Sequence, residues 1–148
     1  MSHSSDSLPD PATIALRRRI DWIDTDAAGI YHYTTAFRLA EAAEAAMHTA
    51  LGIADRTFGL TPRLAVRVEF RRSLRFNDEV EVTLAVAALG RSSVRYALTL
   101  AGAAGVVAEG ELTACLVDRD TRRATAWPED MRERLASAGR LDAGPGWA

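Results

Sequence analysis

Between Thr34 and Ala50 the chain carries its one long helical pattern, and the face it would bury is almost entirely alanine. At about 100° per residue, Ala36, Leu39, Ala40, Ala43, Ala46, Met47 and Ala50 share one broad face. Alanine combines the best helix propensity with almost no bulk, so a sheet can approach this helix closely along its whole length. Glu41, Glu44 and His48 share the opposite side with Thr34 and Phe37. The Glu44 and His48 pair, spaced i,i+4, is expected on a solvated face or in a subunit contact. Thr34 or Thr35 is expected to cap the helix, and Gly52 to end it.

The remainder of the chain supplies the sheet. Ile14 to Ile23 reads as a strand, and Asp55 to Pro62 as a loop. From Arg63 onward the apolar period is two. Leu64, Val66, Val68 and Phe70 alternate with charged residues; Val80, Val82, Leu84 and Val86 follow the Asn77-Asp78 turn. Val94, Tyr96, Leu98 and Leu100 follow Gly90-Arg91-Ser92, and a last run from Val106 to Leu116 follows Gly102 to Gly105. Such short turns imply an antiparallel meander. Matching the apolar faces pairs Val86 with Val94, Leu100 with Val106 and Arg95 with Glu111, while Ala108, Gly110 and Ala114 leave room for a helix. The reading is an α+β fold in which an antiparallel sheet curls round one long central helix. The sheet edge and the polar side of the helix stay open, which predicts a homodimer.

Composition then narrows the function. A chain of 148 residues suits a single domain, here residues 13–137, with tails over 1–12 and 138–148 expected to be disordered. Pro128 is expected to start a short helix as an N1 proline. With a formal net charge of −2, nothing favours a nucleic-acid partner or a membrane surface. All the basic residues are arginine, which removes lysine Schiff-base and P-loop chemistry and keeps the planar forks suited to phosphate. Cys115 is the only cysteine, so no intrachain disulfide can form, and its apolar strand context marks it as structural. The polar start lacks a signal-peptide core. A cytoplasmic location is expected.

Asp24-Thr25-Asp26, then Gly29 and His32, lead directly into the helix. Spacing alone allows this to be an ordinary acidic turn. It lacks a convincing set of metal ligands, so no metal is expected. Its functional reading places a carboxylate beside a helix start whose unpaired N–H groups attract developing negative charge. A carbonyl seated there is polarised, and the carboxylate attacks it or deprotonates a water. Acyl-transfer hydrolysis is the reaction this suits.

The strand ending in DTDAAGI, the helix with FRLAEAAE, then EFRRSLRFNDEVEV, LGRSSVRY and VAEGELTACLVD together resemble the hotdog-fold acyl-CoA thioesterases of the 4-hydroxybenzoyl-CoA thioesterase type. The resemblance covers about Ile14 to Leu135. It implies hydrolysis of an acyl-CoA to free acid and coenzyme A, a homodimer or homotetramer with its site at a subunit interface, and no cofactor. By resemblance Asp26 is nucleophile or general base, and the backbone N–H near Tyr33 polarises the thioester carbonyl. His32 corresponds to a histidine found on this turn in many relatives, though Tyr-His relatives align theirs with Tyr33; a catalytic role stays open beside a packing or substrate-lining one. Glu41 is the reserve carboxylate, matching a branch that takes its acid from the central helix. Arg91, Ser92 and Ser93 are the implied coenzyme A phosphate contacts, with Arg71, Arg72 and Arg75 as weaker ones. Tyr31, Tyr33, Phe37 and Phe58 are candidate acyl-pocket residues. The alternative function is a non-hydrolytic module that binds an acyl group on coenzyme A or a carrier protein.

Overall fold

The computed structural model describes residues 7–145. In chain order these form β1 (Thr13–Arg19), a 3-10 turn (Trp22–Asp24), α1 (Tyr33–Ala50), α2 (Ala54–Thr57), β2 (Arg63–Phe70), β3 (Glu79–Leu89), β4 (Ser93–Gly102), β5 (Gly105–Cys115) and α3 (Glu129–Ser137). The five strands make one antiparallel sheet in the order β1-β3-β4-β5-β2. Its concave face holds α1, which lies mainly over β3 and β1. Ala36, Ala40, Ala43, Ala46 and Met47 are fully buried against that face, together with Ile14, Val82, Leu84, Leu98 and Leu100. Burying each large side chain among these stabilises the fold by roughly 2 kcal/mol. The alanine stripe therefore lets one helix and one sheet share a core.

Several local expectations are corrected. The helix cap is neither threonine: His32 is the N-cap, and its Nδ1 accepts from the Thr34 N–H at 3.2 Å. Gly52 does end α1, at a φ of 72°. The first strand stops at Arg19, because its partner β3 begins at the facing residue Glu79. Trp22 and Ile23 leave the sheet and stand exposed. The β3–β4 register differs by two residues from the expected one: Val86 faces Tyr96, and Leu89 faces Val94. An irregularity between Val86 and Ala88 shifts the register by one more residue toward the turn at Gly90. Likewise Leu100 faces Ala108 and Arg95 faces Thr113, yet the Arg95 to Glu111 ion pair forms diagonally at 2.7 Å. The expected loop after α1 contains α2, and Pro128 is the N-cap of α3 rather than its first residue.

The chain ends are held further out than their composition suggests. Asp10 and Ala12 donate to Ala136 and Leu135 carbonyls, and Leu141 donates to Thr13. Residues 1–6 and 146–148 of the expected tails lie outside the described residues. No described helix is long and apolar enough to cross a membrane.

Candidate active site

The candidate reactive turn, residues 24–32, is built on Asp24, which is 3% exposed. Its carboxylate accepts from the Asp21 N–H at 2.8 Å and is ion-paired with Arg38 of α1. Its carbonyl accepts from the His32 N–H at 2.6 Å and from the Thr35 hydroxyl at 3.1 Å. One residue thus ties the exit of β1 to the first turn of the helix. A buried carboxylate is tolerated only with such partners, and Asp24 has them all spent on structure.

Asp26 opens the next, tighter loop. Its N–H donates to Ile30, the Gly29 N–H returns to its carbonyl, and Gly29 sits at a φ of 80°. One carboxylate oxygen, Oδ1, accepts from the Ala28 N–H at 2.8 Å. Among the described residues the other oxygen has no partner, and the side chain is exposed. A bridge between Thr25 and Tyr31 closes this loop, and the Tyr31 N–H donates to the Leu74 carbonyl at 2.7 Å.

His32 follows, half-buried, with its ring stacked on Tyr33 at 4.6 Å. Because Nδ1 accepts the Thr34 N–H, the neutral ring carries its proton on Nε2. That nitrogen is a donor. The next helix-start amides divide cleanly: Thr34 donates to the His32 ring and Thr35 to the His32 carbonyl, while the Tyr33 N–H forms no hydrogen bond among the described residues. A carboxylate oxygen, an Nε2–H donor and an unpaired helix-start amide therefore occupy eight consecutive residues, 26 to 33.

The other predicted residues separate into two groups. Tyr31 is buried against Phe70, with ring centroids 6.2 Å apart; burial raises its phenol pKa, and its hydroxyl has no partner among the described residues. Phe37 packs edge-on to Tyr33 at 6.2 Å. Glu41 is exposed and lines a cavity of about 540 Å³ along the outer side of α1, with Arg38, Ala42, Ala45 and Phe58. Arg91, Ser92 and Ser93 lie elsewhere. Their turn is at the far end of β3, 11 residues long, about 33 Å from the reactive turn at roughly 3.3 Å per residue. Ser92 and Ser93 are buried: Ser92 Oγ accepts from Cys115, and the Ser93 carbonyl accepts from the Trp127 indole N–H at 2.9 Å. Of the three, Arg91 alone is exposed. Arg71 is engaged by Glu69 and Glu109.

One assignment is overturned. Glu44 and His48 do not form a solvated pair: His48 is 3% exposed, hydrogen-bonded at 2.8 Å to both Thr57 and Tyr96, and Glu44 is held by both Arg63 terminal nitrogens. The helix face reads as polar there because its partners are polar and internal. Arg38 was the residue missed in the turn itself. Its partner Asp24 lies fourteen positions away across a loop, which no helical spacing reveals.

A family model described as the thioesterase-like superfamily matches residues 19–135. A 1,4-dihydroxy-2-naphthoyl-CoA hydrolase from Synechococcus elongatus is 27% identical over 130 residues, 84% of this chain and 96% of that protein. Two solved structures share the fold. A predicted thioesterase from Bacillus stearothermophilus superposes with a TM-score of 0.76 at 20% identity, covering 83% of this chain and 93% of that one. A DHNA-CoA thioesterase from Staphylococcus aureus gives 0.77 at 17% identity, covering 86% and 91%.

Proposed function

The chain belongs to the thioesterase-like superfamily, and from that premise we propose that it hydrolyses an acyl or aroyl thioester of coenzyme A to the free acid and coenzyme A. The observation that carries the reading is the juxtaposition of Asp26, with one carboxylate oxygen unbonded, and the unpaired Tyr33 N–H at the start of α1. The thioester carbonyl oxygen sits on that N–H, where the helix dipole favours the charge it gains. Asp26 then acts in one of two ways. As general base it takes a proton from water, and the hydroxide adds to the carbonyl carbon; as nucleophile it adds itself, and water later opens the anhydride. In both, the C–S bond breaks and the sulfur leaves with the electron pair, to be protonated as coenzyme A. In this reading the His32 Nε2–H hydrogen-bonds the substrate in the same step.

The site in this proposal lies at a boundary between two copies of the chain. Leu64, Val66 and Phe70 on the edge strand β2 are exposed, as is Phe58. Contiguous apolar exposure of this kind marks a surface covered in the assembly. A homodimer with a closed two-fold interface is the proposed state.

Thiol release from an acyl-CoA panel tests the reaction. Asp26→Asn keeps the turn's acceptor oxygen for the Ala28 N–H while removing the charge, so kcat is expected to fall by about 10²-fold or more with little change in coenzyme A binding. Full activity in the variant would remove Asp26 from the mechanism. Ligand binding without any thiol release in the wild type would instead support the binding-module alternative.

A further inference from the structure

The candidate turn carries two carboxylates, and the proposed reaction uses only Asp26. The residue between them, Thr25, is extended, with φ −100° and ψ 155°, so the Cα atoms of Asp24 and Asp26 stand about 6.6 Å apart at roughly 3.3 Å per residue. Two like charges that close oppose one another's ionisation. Asp24 also abuts the helix start, because its carbonyl accepts from the His32 N–H and from the Thr35 hydroxyl. Left bare, its carboxylate would occupy the positive end of the helix dipole and disfavour a second negative oxygen at the Tyr33 N–H. A site built this way needs the Asp24 charge cancelled.

Arg38 is the cation paired with Asp24 among the described residues. Its choice of partner is informative. Glu41 lies three residues further along α1, where an ordinary helix-surface pair would form, yet the guanidinium is on the buried acid of the turn. The Arg38 side chain is 56% exposed and that of Asp24 only 4%, so a surface arginine reaches inward to a carboxylate that water does not screen. An exposed pair contributes little, whereas losing the partner of a buried carboxylate leaves an uncompensated charge. Along the axis Arg38 stands five residues beyond Tyr33, about 7.5 Å at 1.5 Å per residue.

Resting on the reaction proposed above, we infer that Arg38 is a positioning residue for it: by neutralising Asp24 it keeps the buried acid from opposing the charge on Asp26 and leaves the helix start to the thioester oxygen. The other charged groups around Asp26 are few. Asp21 and His32 lie on its own segment, and Arg75 on the segment bridged to it at Ile30. Asp21 is exposed and His32 half-buried, so salt and water screen them more than they screen Asp24. The Asp24–Arg38 pair therefore sets the local field.

The test measures thiol release against pH in Arg38→Gln, Arg38→Lys and the double variant Asp24→Asn/Arg38→Gln. Arg38→Gln leaves Asp24 charged and bare. Its kcat is expected to fall about tenfold, and the acid limb of its kcat/KM profile to move up by about one pH unit, a displacement that shrinks with added salt. The double variant removes both charges, while the asparagine still accepts from the Asp21 N–H; it is expected to regain most of the turnover and the wild-type limb. Arg38→Lys keeps the charge and should hold the limb in place even where turnover drops. A mere tether predicts instead a double variant as poor as Arg38→Gln with the limb unmoved in both, and that result overturns the assignment. Where Arg38→Gln does not fold, Asp24→Asn supplies the opposite sign: it leaves Arg38 unpaired, so the limb should move down, and an unmoved limb overturns the assignment. Should the wild type release no thiol, the proposed reaction fails, and NMR titration of the Asp26 carboxyl decides the charge relation separately. A midpoint raised in Arg38→Gln and restored in the double variant supports it; one midpoint in all three proteins overturns it.

Discussion

His48 shows how a single residue on a helix can be misread from spacing. Its neighbours at i±4 are charged or small, so the pattern places it outside, yet the ring is buried between α1 and the sheet. Its Nδ1 lies 2.8 Å from Thr57 Oγ1 and its Nε2 2.8 Å from the Tyr96 hydroxyl, so one ring nitrogen can donate while the other accepts. A neutral ring satisfies both bonds. Burial lowers the His48 pKa; nearby Glu44 opposes this and Arg63 reinforces it. A group whose folded pKa is depressed supports the fold fully above its unfolded pKa, about 6.5 for histidine, and loses that support as pH falls toward the folded value. His48→Gln keeps hydrogen-bonding capacity without titrating. It is expected to lower Tm at pH 7.5, and the gap to wild type should narrow between pH 7 and 5.5 in thermal scans. A gap independent of pH would mean that His48 does not titrate between the two states. The position of Asp26 just before a helix start, by contrast, was legible at the residue scale, because a carboxylate, a glycine and a helix start are local in sequence. His48 was not, because Tyr96 lies 48 positions away.

Elements were easier to read than their pairings. The bounds of α1 follow from the alanine stripe and from Gly52, whereas its cap does not, since a histidine ring accepting from the chain two residues on is an uncommon substitute for serine or threonine. Strand positions follow from alternation, but register depends on where a strand carries an extra residue, and parity is blind to a shift of two. Gly110 illustrates the point. Its lack of a side chain suggested space for a helix; in the structure a Cβ there would lie 1.9 Å from the Arg67 carbonyl oxygen and 2.8 Å from the Val68 Cα. The glycine admits the edge strand β2, which pairs Val68 with it. Backbone cannot yield as a flexible side chain does, so Gly110→Ala is expected to cost about 2 to 4 kcal/mol, read from urea unfolding. A loss below about 1 kcal/mol would show that β2 can shift aside cheaply.

The fate of β2 joins fold to function at the scale of the whole molecule. Its apolar parity is correct for a concave face, since Val66 and Phe70 pair with the buried residues Leu112 and Ala108. One chain nevertheless leaves that strip uncovered, because α1 lies over β3 and β1 at the other side of the sheet. A pattern of alternation reports which face is apolar and not how far the helix reaches across it. The proposed dimer covers this strip with a second copy, and Phe70 is also the residue against which Tyr31 of the reactive turn packs. Covering β2 therefore also fixes the wall of the turn. Val66→Glu places a charge in the strip without touching the proposed catalytic residues or the buried core. The variant is expected to sediment as a monomer with its circular dichroism retained, and to lose at least tenfold in kcat/KM, about 1.4 kcal/mol of transition-state stabilisation. A folded monomer with wild-type turnover would mean that one chain carries a complete site, and the exposed strip would then need another explanation.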